Sequence, residues 1–525
     1  MTSYVRLALA VALLMTFSEG CRHKEKFPAL GTAIVSPVDL AVSDNGAQFY
    51  VLNADMDRTY NAGSILVLDK DGNKLNAVEV PRMGRSLTVA GNDMLVSVDF
   101  EDLTKGAQLL LFNLDDPTLP RLVTKWDIGC SPFNAVMTKG YEYFAFTCVD
   151  GQLYIGDLKP DRSQSELHHV RSYGYSHRAM HLDAKRKLLF GFPTDAGKQN
   201  TSEISRPDVQ THDEVTGVKT ADVPNEIPDD FESDQRTLTS SSTRSIYQFI
   251  VYDIDKEAAL GFPDRIPADT AIKSEFRWLY FNLANFDGTP DGGVNGNDSN
   301  VDAGLKYYRT NFWSAQPDPA NPNVFYLSHR GPPVGKDGSA GSPYANDVVK
   351  VSIVGDPHAV LTTAPVTTPD PKTGEPVTTT VTRLKPLPTT DYLTFERVYG
   401  FKERTSGAVS DIAKYYYPSD FRISEVNGQK VILVNNFRDL VNWVRKDTYF
   451  SLTAATLDDE SLWFDESCGP DPTWQGCSNT DPNWSWFQVA VNHEGRALSC
   501  SFYGNAVMLL DVRPGLGIKL VKRIQ

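Results

Sequence analysis

Residues 47–72 read AQFYVLNADMDRTYNAGSILVLDKDG. Two β-rich apolar runs, 49–52 and 65–68, lie either side of a polar segment, and the second ends in Asp69-Lys70-Asp71-Gly72. Aromatic and branched residues bounded by Gly, Asn and Asp predict short antiparallel strands joined by tight turns.

The pattern recurs. Counterparts of GSILVLD (63–69) are AQLLLFNLD (107–115), GQLYIGDL (151–158), IYQFIVYDID (246–255), NDVVKVSIVG (346–355), DTYFSLTAATL (447–457) and NAVMLLDV (505–512). Another apolar run precedes each, such as DMLVSVD, YEYFAFT, KLLFGF, NVFYLSH, KVILVNN and ALSCSFYG. Ahead of these stand inner-strand candidates: PVDLAVS, SLTVAG, FNAVMT, RAMHLD, FRISEV and FQVAVN. In the first half Ser36-Pro37, Ser131-Pro132 and Ser176-His177 keep phase with a period of about 47 residues. Four strands per repeat of that length predict an all-β, seven-bladed β-propeller with long loop insertions. No blade can bury both faces of its own sheet; packing between two neighbours does so. Either LGTAIV (30–35) or IKLVKRI (518–524) could complete the last blade.

The opening stretch also resembles the repeat of YVTN-type propellers, with Tyr50-Val51-Leu52-Asn53 in place of the signature tetrapeptide and SILVLD as its next strand. VILVNN (431–436) is a fainter echo. The resemblance implies seven blades and an exported, surface-associated setting. It implies little about chemistry, because one fold hosts many functions.

The N-terminus supports export. Arg6 precedes an apolar core at 7–17, and Ser18-Glu19-Gly20 leads to Cys21. This core is too short to span a bilayer and has the layout of a signal peptide. It resembles a bacterial lipoprotein signal, in which a small residue precedes a cysteine that becomes acylated. Ser18 stands where the usual leucine would be, so ordinary cleavage after Ser18-x-Gly20 and a secreted soluble chain form the alternative. Arg22, rather than Asp, resembles outer-membrane sorting. The expected organisation is a signal peptide at 1–20, a lipid-anchored tether at 21–35 and one propeller domain at 36–525. Insertions are expected at 197–245 (an acidic loop), at 360–385 (a hairpin or a Pro/Thr linker) and at 458–486.

In an oxidising compartment the remaining cysteines should pair. Cys130 with Cys148 and Cys468 with Cys477 are the expected bridges, leaving Cys500 as a buried thiol. The net charge of −15 disfavours nucleic acid as a partner. A monomer tethered to the membrane is expected.

Three clusters carry candidate chemistry. Residues 287–304, DGTPDGGVNGNDSNVDAG, place Asp291, Asn295, Ser299 and Asp302 at calcium-loop positions 1, 5, 9 and 12. Position 3 is Gly293, without a ligand, and the alternative is an Asx/Gly turn. Calcium is the one cofactor the chain suggests. His177, His181 and His329, with Arg178 and Arg330, could meet in a central channel, His177 and His181 sharing a strand face; alternatively they hydrogen-bond between blades. Trp463, Trp474, Trp484 and Trp486 crowd around Cys468 and Cys477, either as a stacking surface for a protein or glycan or as a buried lid. Gly-x-Ser-x-Gly, His-Glu-x-x-His, Cys-x-x-Cys and phosphate-loop motifs are all missing, so no catalytic residue is nominated. The leading expectation is a non-enzymatic, envelope-tethered module that binds a protein or glycan. The alternative is a metal-dependent, lactonase-like propeller hydrolase with ligands scattered in the channel.

Overall fold

The computed structural model describes residues 27–100, 106–172, 177–192, 248–254, 278–282, 312–330, 346–355, 360–369, 373–385, 393–399, 418–437, 450–457, 462–464, 486–502, 504–514 and 517–525. These residues form antiparallel four-stranded sheets, each a meander in chain order. The first strands of successive sheets, which are the innermost, are Pro37–Val42, Gly84–Ala90, Val136–Met137, Ala179–Asp183, Phe312–Pro317, Pro418–Val426 and Trp486–Val491. Each abuts the innermost strand of the next sheet, and Trp486–Val491 abuts Pro37–Val42. The fold is a β-propeller.

Alternation of side chains explains why the middle strands read as unbroken apolar runs. In Gln48–Asn53, Tyr50 and Leu52 pack with the second sheet, whereas Phe49 and Val51 pack with the last. The next strand, Gly63–Asp69, repeats this: Ile65 and Val67 face one neighbour, Leu66 and Leu68 the other. A strand buried on both faces cannot alternate apolar with polar. The fourth strand, Lys74–Val80, meets water and is correspondingly polar.

A register shift opens the innermost strand in five sheets, between Pro37 and Asp39, Gly84 and Ser86, Phe312 and Ser314, Pro418 and Asp420, and Trp486 and Gln488. Such bulges release one residue from the ladder and re-aim its side chain. Here they set equivalent positions around the ring.

Closure corrects the expected tether. Leu30, Ile34 and Val35 are buried, and the Val35 N–H donates to Asn53 Oδ1 at 3.2 Å. Ile34 packs in the cluster that also holds Ile524, so the packed body begins ahead of residue 36. The C-terminal strand Gly517–Ile524 supplies the fourth strand of the last sheet. Residues 360–385 are a hairpin, Val360–Pro369 against Pro376–Lys385, between the third and fourth strands of the fifth sheet. The 458–486 segment is not a simple insertion: Leu462–Phe464 is the fourth strand of the sixth sheet, and Trp486 already begins the next innermost strand. Three residues are too short a run for a sequence pattern to mark as a strand. The 197–245 segment lies outside the described residues.

Among the described residues no helix is long and apolar enough to cross a membrane.

The candidate site in the central channel

The innermost strands enclose a cavity of about 320 Å³, to which every sheet contributes. Its lining is layered. Where the strands begin, Arg178 and Trp313 line the cavity, and Arg85 and Phe133, from the two preceding sheets, continue the row beside it. The Arg85 guanidinium lies 5.2 Å from the Phe133 ring, and that of Arg178 lies 5.5 Å from Phe133 and 3.9 Å from Trp313. Cation and aromatic faces therefore alternate along one arc of the rim. Arg85 also donates to Asp99 Oδ2 at 2.6 Å, which fixes its plane.

One level down, Ala41, Thr88, Val136, His181, Gln316, Arg422 and Ala490 occupy matching register positions. The three with the strongest hydrogen-bonding groups, His181, Gln316 and Arg422, sit on consecutive sheets. The level beyond is apolar throughout: Val42, Val89, Met137, Leu182, Pro317, Ile423 and Val491.

His181 is 7% exposed, and its ring lies flat on Phe325 at 4.3 Å. Burial pushes its pKa down to about 4, so the imidazole is neutral. Its Nε2 has no hydrogen-bond partner among the described residues.

Arg422 is held between two acids. It donates to Asp420 Oδ1 at 2.7 Å and reaches to 4.0 Å from Asp39. Asp39 accepts the N–H of Leu87, on the neighbouring sheet, at 2.7 Å. Burial pushes Asp39 up to about 7; Arg422 opposes that shift and Asp420 adds to it. Asp420 also accepts from Ser314 Oγ at 3.0 Å. The fully buried Cys500 thiol lies behind this group; burial raises its pKa well above the usual range, with the charge of Asp39 adding to the rise.

The histidines do not converge as expected. His181 borders the channel, but His177 is fully buried ahead of the strand and packs over Gly191. Gly191 pairs with Met180, so His177 lies on the opposite sheet face from His181. It precedes the regular strand, where period-two alternation does not hold. His329 is on the second strand of the fifth sheet, opposite Phe312, one strand out from the channel; the side chains of His329 and Arg330 lie outside the described set. Arg178 is at the rim.

Cys130 and Cys148 form a disulfide, Cα–Cα 5.9 Å, where the third sheet begins. With Asp150 they are the one group of His, Cys, Asp or Glu at metal-binding distances among the described residues, and two of its three members are consumed by the bridge. Asp291, Asn295, Ser299, Asp302, Cys468, Cys477, Trp474, Trp484 and Cys21 all lie outside the described residues. Trp463 pairs with Ala454 and Trp486 with Ser501, on strands of adjacent sheets.

The sequence reading missed Trp313, Gln316, Arg422, Asp39 and Asp420. FRISEV was readable as an innermost strand, which put Arg422 within reach; FWSAQP, with Pro317, carries no such signal.

No protein-family model and no curated protein matches the chain. Among solved structures it is similar to the β-propeller domain of Myceliophteria thermophila Cps50 (Swd1), at 9% identity and a TM-score of 0.46, covering 92% of this chain and 99% of that one. Chaetomium thermophilum Sqt1 bound to the N-terminus of ribosomal protein L10 gives 10% identity and 0.41, over 94% and 89%. The Pseudomonas aeruginosa periplasmic gluconolactonase PpgL gives 10% and 0.38, over 81% and 83%.

Proposed function

We propose that the chain is a seven-bladed, YVTN-type propeller, exported and lipid-anchored through Cys21 in a bacterial envelope, that binds a protein or glycan partner at its channel rim. Seven four-stranded sheets among the described residues support the blade count. The observation that carries the binding role is Arg178, whose guanidinium stacks on Trp313 and lies near the Phe133 ring. Stacking holds a guanidinium by its faces and fixes a positive charge at the rim, which favours an acidic partner. Arg and Trp together are also the residue types that dominate binding energy at interfaces.

The test is an array of defined peptides and glycans, acidic and neutral, probed with the mature protein. Acidic members should bind, and the pair Arg178→Ala and Trp313→Ala should weaken each by about ten-fold or more, or about 1.4 kcal/mol. Undiminished binding by both variants, verified as folded, refutes the rim as the contact surface.

A further inference from the structure

Beneath the rim the channel is two-sided. Arg422, Gln316 and His181 make one polar arc, on the sixth, fifth and fourth sheets, and Arg178 stands above the same arc. Ala41 and Ala490 face it from the first and seventh sheets at the same level. Their small side chains leave the cavity its width, and the next level is wholly apolar, so the polar groups open only toward the space between the walls. A buried hydrogen-bonding atom without a partner is costly, which points to a ligand or ordered solvent at that place. His181 Nε2 is such an atom, in a residue 7% exposed that borders the cavity. The volume, about 320 Å³, is at the small end of ligand pockets.

We infer that the channel binds a small organic carboxylate with a short apolar body, its head on the Arg178, His181 and Gln316 arc and its body against Ala41 and Ala490. This deepens the binding role proposed for the rim and rests on the same propeller; the two places share Arg178, and the channel adds His181 and Gln316 below it. Arg178 supplies the formal charge. The neutral imidazole of His181 and the amide of Gln316 supply directed hydrogen bonds. Arg422, engaged with Asp420 at 2.7 Å, sets the local potential rather than the primary contact. The apolar layer below excludes a second charged end, so dicarboxylates are disfavoured.

The probe is hexanoate, titrated into the full mature chain by calorimetry and ligand-observed NMR, with hexanamide and adipate as controls. Hexanoate should bind at least about ten-fold tighter than either control. His181→Phe, which keeps a ring on Phe325, and Gln316→Leu should each weaken hexanoate several-fold. Ala490→Phe should abolish binding by filling the cavity. Thermal melts identify any variant that fails to fold; for such a variant, the milder Ala490→Leu or His181→Asn is read instead. Equal affinity for hexanamide, no hexanoate binding by folded wild type, or wild-type affinity in Ala490→Phe would each overturn the assignment. Loss of hexanoate binding with array binding intact removes this site alone, whereas Arg85→Ala should affect only the array.

Discussion

Arg422 reaches across the last sheet to within 4.0 Å of Asp39, so charge links two inner strands that each pack on the strand between them. The tie is imperfect, since burial leaves Asp39 with its pKa raised from 3.8 to about 7. In the unfolded chain this carboxyl loses its proton near pH 4; in the folded chain it keeps it until near pH 7. Its contribution to stability is therefore complete below about pH 4 and is lost as pH rises through about 7, by a few kcal/mol at most. Urea denaturation at pH 5 and pH 8 should show the larger stability at pH 5 from this group. Asp39→Asn should flatten the difference, and an unchanged pH slope in that variant would remove Asp39 as its source.

Gly156 pairs with Phe144 across two strands of the third sheet, and a Cβ there would lie 1.9 Å from the Phe144 ring. Phe144 is fully buried, so the ring cannot swing into water. Gly156→Ala should cost about 1–3 kcal/mol, the usual range for overpacking, and Phe144→Leu in the same chain should recover part of it. Chemical denaturation of the two variants checks this.

The Cys130–Cys148 bridge closes a loop with a sequence separation of 18. Chain-entropy arguments give such a loop about 3 kcal/mol of stabilisation. Cys130→Ser with Cys148→Ser should lower the melting temperature by several degrees, and reductant should then have little further effect. A reductant effect of undiminished size would point to another bridge.

Cys21 as an anchor predicts that the mature chain carries acyl mass at its first residue and fractionates with membranes. Cys21→Ala should release it to the soluble fraction and abolish labelling by radioactive palmitate. Intact mass spectrometry distinguishes the two forms directly; an unmodified mature mass in wild type would favour free secretion.

The repeat was legible because a middle strand such as Gly63–Asp69 is buried on both faces and so must be apolar along nearly its whole length. Ile65, Leu66, Val67 and Leu68 announce themselves in the linear text, as do their counterparts such as residues 109–112. The innermost strands were less legible. Their residues face a channel as well as two neighbours, so Arg422, Gln316 and His181 are tolerated there and blur the pattern. The Phe312–Pro317 strand went unrecognised for that reason.

What the sequence determined by itself is the kind of unit: short strands, turn-bounded, repeated at a near-constant spacing. Local burial and turn chemistry act between neighbours in the chain, and they are written there. The site is different in kind. Asp39 and Arg422, or Phe133, Arg178 and Trp313, become neighbours only when the sheets close around an axis, and the bulges that hold Arg85 and Trp313 are a matter of register. Register and closure arise from packing between distant segments, so only the folded chain could decide them.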